Sequence, residues 1–483
     1  MKIGIIGAGI AGLASAIRMA SRGYQVAVFE ANDYPGGKLS EFRIGDYRFD
    51  AGPSLFTMPQ YVEELFEVAG KKVEDYFRYE RLDRVCEYFW EDQTRLTAFA
   101  DQKDFAVEVE EKLDVPAEKI LNLLEDSHHK YEVTGKIFLE KSLHKANTWL
   151  DWSTVKAMLK VPTLDLFTTM NRLNKKRLAH PKLVQLFNRY ATYNGSNPYK
   201  TPGLLNIIPH FEYGFGAYLP KGGMHAITLA LYQLAQDLGV QFHFGQKAEE
   251  IIVSDKAVRG LKVGGQQHNF DRVICNMDIF HAYRQLLPHE KHPKRILSQP
   301  KSTSALIFYW GIKKSFRELD VHNILFSENY EREFADMEAG KVYNDPTVYI
   351  NITSKKNPQD APAGCENWFT MINVPFDGGQ DWAIIIEVAR QNIQAKIKRC
   401  LGVDVSDLIE VEEILDPQRI ESRTQSHLGA LYGTSSNNRM AAFMRHPNFS
   451  SRIQGLYFCG GSVHPGGGIP LCLLSAKIID DVL

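Results

Sequence analysis

The stretch KIGIIGAGIAG, residues 2–12, decides the fold. Lys2 to Ile6 is a short continuous apolar run, the pattern of a parallel strand buried on both faces. Gly7, Gly9 and Gly12 follow at GxGxxG spacing. Helical spacing from Ala11 to Ser21 predicts a helix, Gly23 supplies a left-handed stop, and Gln25 to Phe29 reads as a second strand running into Glu30. The unit is therefore βαβ. Gly7 makes the tight turn, Gly9 lets the backbone approach a pyrophosphate, and Gly12 lets helix and strand touch. The phosphates would rest on the positive helix N-terminus around Ala11. Glu30, 18 residues beyond Gly12, can accept hydrogen bonds from both ribose hydroxyls and would repel a 2′-phosphate. That favours FAD or NAD over NADP.

Of 483 residues, 44% are hydrophobic and 24% charged, a globular balance that excludes a collagen, a rod or a disordered tail. At roughly 100–200 residues per domain, the length suggests two to four packing units. A net charge of −2 provides no global field to recruit nucleic acid, so no such partner is expected. The six cysteines form no CxxC pair and no metal-type spacing, which reads as a reduced, cytoplasmic chain without a metal site. No window approaches the ~20 apolar residues needed to span a bilayer.

Near the C-terminus, Gly455 to Cys459 reads as another buried strand, GGSVHPGGGIP covers residues 460–470, and Leu471 to Val482 is helical. Backbone N–H groups at Gly460, Gly461, Gly468 and Ile469, beside a helix N-terminus, form a nest suited to the negative charge that develops on a reduced flavin. Two further strings follow Glu30: Gly36-Gly37-Lys38 and Gly52-Pro53-Ser54.

The string GGSVHPGGGIP resembles the flavin signature of the bacterial-type phytoene and carotenoid desaturase family. The glycine doublet, YATYNGSNP at 190–198, YLPKGGM at 218–224 and DAPAGC at 360–365 extend the resemblance along almost the whole chain. It implies an FAD held non-covalently by the glycine loops, Glu30, Lys38, Pro53, Ser54, Ile469 and Val253. The chain departs from many FAD oxidases in lacking an acidic residue after the strand glycine at 460. His464 has two readings: a proton acceptor beside the isoalloxazine, or a ring that satisfies a backbone carbonyl. FDAGPSLFTMPQY and YATYNGSNPYKTP look closest to the branch that desaturates C3–C4 of acyclic or monocyclic, often 1-hydroxylated, carotenoids. Lycopene-forming phytoene desaturation, amine oxidation and a non-catalytic prenyl-lipid carrier of related fold are the alternatives.

The fold class is α/β. The resemblance implies a discontinuous Rossmann-like FAD-binding domain (1–80, 213–285, 421–483), an antiparallel-sheet substrate domain (81–103, 286–420) and a helical, membrane-associating subdomain (104–212). Runs at 249–253 and 257–263 around Ser254-Asp255-Lys256 predict a hairpin, and with the run at 271–275 they read as returns to the cofactor domain. Runs at 304–312, 347–353 and 368–374 predict strands of the substrate wall. Residues 136–182 carry ten Lys or Arg against Glu140, Asp151 and Asp165, interleaved with Trp149, Leu150, Trp152, Met158, Leu159, Leu166, Phe167 and Met170. Such a mixture suits an in-plane helix on anionic lipid, and equally a solvated basic face over a helical core. With a bilayer-resident substrate, membrane contact at the inner face of the cell membrane is expected.

HExxH, GxSxG and Walker motifs are absent, so the hard chemistry belongs to the flavin. A desaturation delivers hydride to N5 and loses a proton to a weak base or water; quinone or O2 then takes the electrons. Tyr193, Phe211, Tyr213, Phe215 and Tyr218 are candidate walls of a hydrophobic carotenoid tunnel, or simply core.

Overall fold

A computed structural model describes residues 1–150, 152, 154, 156, 160, 163–438, 441 and 444–483. Asp151, Met158 and Leu159 of the basic block lie outside these. The glycine-rich start folds as β1 (Lys2–Ile6), α1 (Ile10–Ser21) and β2 (Gln25–Phe29). Three more strands, β3 (Gln241–His243), β4 (Arg272–Cys275) and β5 (Leu456–Phe458), complete a parallel sheet in the order β3-β2-β1-β4-β5. In register, Ile5 pairs with Val28 on one side and Ile274 on the other. All three side chains are fully buried, as continuous apolar runs in a two-faced sheet require. The helix α1 packs against α2 (His225–Asp237) and α3 (Ile469–Val482) on one face.

Between β3 and β4 the expected hairpin forms. Strands Ala248–Ser254 and Ala257–Val263 meet at Asp255 and Lys256, whose φ of 54° and 59° make the primed turn that suits a right-handed twist. With Gln266–Asn269 it makes a separate three-stranded antiparallel layer, so only β4 returns to the parallel sheet.

The second large sheet has seven strands, in the order Ile409–Leu415, Ser304–Ile312, Glu366–Val374, Val348–Ile352, His322–Leu325, Arg84–Phe89, Arg95–Phe99. Every pairing is antiparallel except His322–Leu325 with Arg84–Phe89. Alternation along the strands sorts the two faces. Leu306, Phe308, Trp310, Trp368 and Ile372 join one core with Ile393 and Ile397 of the helix Trp382–Leu401. Ala305, Ile307, Phe369 and Met371 point the other way, onto the central cavity.

Helices Gln102–Leu113, Ala117–Phe138, Met170–Leu178 and Pro181–Asn188 fill much of the predicted helical stretch. Within the basic block the described residues divide. Met170 is core and Leu166 packs against Leu164 and Ile137. Leu150, Trp152 and Phe167 stand 82%, 67% and 74% exposed. Arg177 is paired with Asp126 and Asp165, and Lys182 with Asp92. Among the described residues no helix is long and apolar enough to cross a membrane.

Candidate active site

A cavity of about 1120 Å³ runs from the C-terminal edge of the parallel sheet to the face of the seven-stranded sheet. It exceeds the ~300–1,000 Å³ usual for one small ligand, so it has room for more than one group. At the sheet edge, α1 begins at Gly9 with no side-chain cap, leaving first-turn N–H groups for a ligand. Gly7, Gly9, Ala11, Gly36, Gly37 and Lys38 line this end. Gly12 lies beneath it: a Cβ there would stand 2.0 Å from the Gly7 carbonyl oxygen, so helix and turn touch only because it is glycine. A Cβ on Gly52 would come equally close to the Lys38 carbonyl. Glu30 is buried, one carboxylate oxygen accepting the Ala8 N–H at 2.7 Å and the other the Asn32 N–H at 2.9 Å. Both retain lone pairs for hydroxyl donors.

The C-terminal loop meets the same cavity. Gly460, Gly461, Gly468 and Ile469 line it, and α3 starts at Gly468 (φ 103°), again without a side-chain cap and with Pro470 in its first turn. Asn276, just past β4, braces both loops. Its Nδ2 would stand 2.8 Å from a Cβ on Gly9, and its Oδ1 2.6 Å from one on Gly460. Arg445, buried, ties the loop to the segment at 432–434 by donating to the carbonyls of Gly461 (3.5 Å), Tyr432 (3.1 Å) and Thr434 (2.8 Å); burial pulls its guanidinium down to about 10. Lys38 donates to the Leu431 carbonyl at 3.0 Å, and burial lowers its ammonium pKa against the opposing pull of Asp278.

Comparison with known proteins decides what this cradle holds. The model of the flavin-containing amine oxidoreductase family matches residues 10–478. The chain is 55% identical to a 1-hydroxycarotenoid 3,4-desaturase of Flavobacterium sp. (strain P99-3), over 99% of this chain and 98% of the relative. It is 30% identical to a 4,4'-diapophytoene desaturase (4,4'-diaponeurosporene-forming) of Staphylococcus haemolyticus, over 100% and 98%. This chain belongs to the carotenoid desaturases of that flavoprotein family. Among solved structures, an oxidoreductase from Methanosarcina mazei (TM-score 0.65, 15% identity, 100% of both chains) shares the fold. So does a putrescine oxidase bound to putrescine (TM-score 0.65, 12% identity, 100% and 99%).

The residues fit a flavin dinucleotide: two uncapped helix N-termini, a glycine cradle that side chains would fill, and a buried carboxylate all open on one cavity. Two of the residues singled out from the sequence stand outside the cavity lining. Val253 does not line the cavity; its strand leaves the site after Lys247 and Ala248, and Val253 packs on the core around Ile251. His464 is buried outside the cavity lining, its Nε2 2.9 Å from the Lys141 carbonyl, and burial pushes the ring down to about 4. That contact ties the loop to the segment at Lys141. Of the candidate wall aromatics only Tyr193 lines the cavity; Tyr213 is core, and Phe211, Phe215 and Tyr218 pack, partly buried, against it. Asn276 and Arg445 were invisible to motif reading, because one polar residue after a strand or in a loop has no spacing to mark it.

Beyond the flavin cradle the walls become mixed. Leu55, Val85 and Ile324 are apolar, but Arg189, Glu212, Tyr193, His322 and Tyr349 also reach the cavity. Arg189 and Glu212, both buried, form an ion pair at 3.1 Å. Arg189 Nη2 also donates to the Tyr88 hydroxyl at 2.6 Å, and Glu212 accepts from Tyr190 at 2.6 Å and from Tyr193. Every charge there is met, as a buried pair requires.

Proposed function

We propose that the chain is an FAD-dependent carotenoid desaturase that inserts a double bond at C3–C4 of a 1-hydroxylated acyclic or monocyclic C40 carotenoid. The observation that carries this is the 55% identity, over almost the whole chain, to a 1-hydroxycarotenoid 3,4-desaturase. Bound FAD supplies the hydride acceptor. The chain's own residues do the rest: Glu30 receives the ribose hydroxyls, the first turns of α1 and α3 receive negative charge, and the sheet face at Ile307 and Phe369 excludes water from the reacting carbons. The FAD is held non-covalently. Consistent with this, the three thiols that line the cavity, Cys86, Cys459 and Cys472, are pushed up by burial, Cys472 to about 11, and so stay protonated and unreactive.

The cofactor domain comprises 1–80, 213–285 and 421–483, and the substrate domain 81–103 and 286–420. The helical unit 104–212 rests on the inner face of the cell membrane through residues 136–182. Exposed Leu150, Trp152 and Phe167, with the Lys156 ammonium over the Trp152 ring, support that contact. Quinone or O2 takes up the electrons. Purified protein is incubated with anionic liposomes carrying a 1-hydroxylated carotenoid, under air or with quinone. A product with one added double bond and a red-shifted spectrum is expected; bound flavin without any such product overturns the reading. Charge reversal at Lys156, Lys160, Lys175 and Lys176 should weaken pelleting with the liposomes, by about 1 kcal/mol per cation near the surface.

A further inference from the structure

A polyene hydrocarbon offers no hydrogen bond, yet the inner end of the cavity presents a prepared chain of polar groups. Ser54 Oγ and the Tyr349 hydroxyl are 2.8 Å apart, and the same hydroxyl is 2.8 Å from His322 Nδ1. Asn351 fixes the tautomer. Its Nδ2 donates to the Val321 carbonyl at 2.9 Å, which sets the amide, and presents the same nitrogen to His322 Nδ1 at 3.3 Å. Nδ1 is therefore an acceptor and the ring proton sits on Nε2. Burial and the nearby Arg189 charge hold the ring down to about 3, so it is neutral at working pH. His322 is buried, it lines the cavity, and Nε2 has no hydrogen-bond partner among the described residues. A buried donor left unmet costs stability unless a ligand meets it.

Resting on the desaturase reading above, we propose that His322, set by Tyr349 and Asn351, is the binding site for the chain-end hydroxyl of the polyene, donating from Nε2 to the hydroxyl oxygen. The placement suits the reaction. Ser54 directly follows Gly52 and Pro53 in the cavity lining, so the Ser54–Tyr349–His322 chain begins at the cofactor loop. With carbon–carbon bonds of about 1.5 Å, a hydroxyl at C1 lies within about 5 Å of the C3–C4 bond, so anchoring one places the other. The Arg189–Glu212 pair, which also lines the cavity, is already met by its own partners and leaves His322 as the donor with capacity to spare.

The test compares a 1-hydroxylated acyclic carotenoid with the same polyene lacking the hydroxyl. Both are presented in liposomes to flavin-loaded wild type, His322→Leu, His322→Gln and Tyr349→Phe. Two quantities are read: the ratio of kcat/KM for the two substrates, and the dissociation constant of each from the shift of the carotenoid absorption band. Wild type should prefer the hydroxylated polyene. In His322→Leu that preference should fall about 10–100-fold in both readouts, the worth of one buried hydrogen bond. Tyr349→Phe should lower it less, and His322→Gln, which keeps a donor, should restore part of it. Tyr349→Phe keeps the ring and its packing, so it carries the test should His322→Leu lose its flavin. Equal use of both substrates by wild type overturns the subsite and leaves the desaturase reading standing, as does an undiminished preference in flavin-loaded His322→Leu or Tyr349→Phe. Wild type that desaturates neither polyene overturns the reading and the subsite with it.

Discussion

At one end of the cavity Gly9, Gly12, Gly52 and Gly460 are fixed by what a Cβ would strike, often a backbone oxygen or the Asn276 amide. At the other end Arg189, Glu212 and His322 are fixed by the hydrogen bonds they make to Tyr88, Tyr190, Tyr349 and Asn351. The first end works through the absence of side chains and tolerates no addition. The second works through their presence and tolerates no subtraction that leaves a partner behind. Cofactor binding and substrate recognition thus fail in different ways within one cavity.

The sharpest break should come at the first end. Gly12→Val places a branched side chain where only 2.0 Å separates a Cβ from the Gly7 oxygen. The purified variant should carry no flavin by absorbance at 450 nm, roughly a total loss; stoichiometric flavin would show that helix and turn need not touch. At the second end, Glu212→Leu strands the Arg189 charge and should cost about 3–5 kcal/mol in denaturant unfolding, whereas Glu212→Leu with Arg189→Met should cost less. Equal losses in the single and double variants would mean that the pair is not coupled.

Smaller effects refine the contrast. Glu30→Gln keeps the shape but turns an amide towards a backbone N–H that now meets a carboxylate oxygen. Flavin affinity, measured by titration of apoprotein, should weaken about 10-fold or more, the value of charge-assisted hydrogen bonds. The smallest change concerns pH. His464 and His446 are pushed down by burial to about 4 in the folded chain, against about 6.5 when unfolded. Between those values the unfolded chain binds more protons. Their contribution to stability is therefore complete above pH 6.5 and is lost as pH falls towards 4. His464→Gln should make this acid limb of a Tm-against-pH curve shallower; an unchanged limb would place the titration elsewhere.

The same contrast explains what the sequence made legible. β1, α1, β2 and Glu30 lie within thirty residues, and each is set by spacing along the chain, so turn, helix and strand could be read directly. The loop at 460–470 was equally plain because glycine density is a local property. The order of the seven-stranded sheet was not: Arg84–Phe89 pairs in parallel with His322–Leu325, two segments with no local mark of their partnership. Aromatics at 211, 213, 215 and 218 have the composition of a tunnel wall, but packing sets Tyr213 in the core and the other three against it. His464 drew notice by lying in a signature, while His322 has no motif and is singled out by lining the cavity with an imidazole nitrogen that has no partner among the described residues.

The single amide of Asn276, wedged between the first glycine turn and the last, sets a timetable. During synthesis the opening βαβ unit can emerge and collapse early, but its far wall is still unmade until residues 460–468 leave the ribosome. A nascent chain therefore has nowhere to lodge its yellow pigment, and loading with cofactor becomes the closing event of biogenesis.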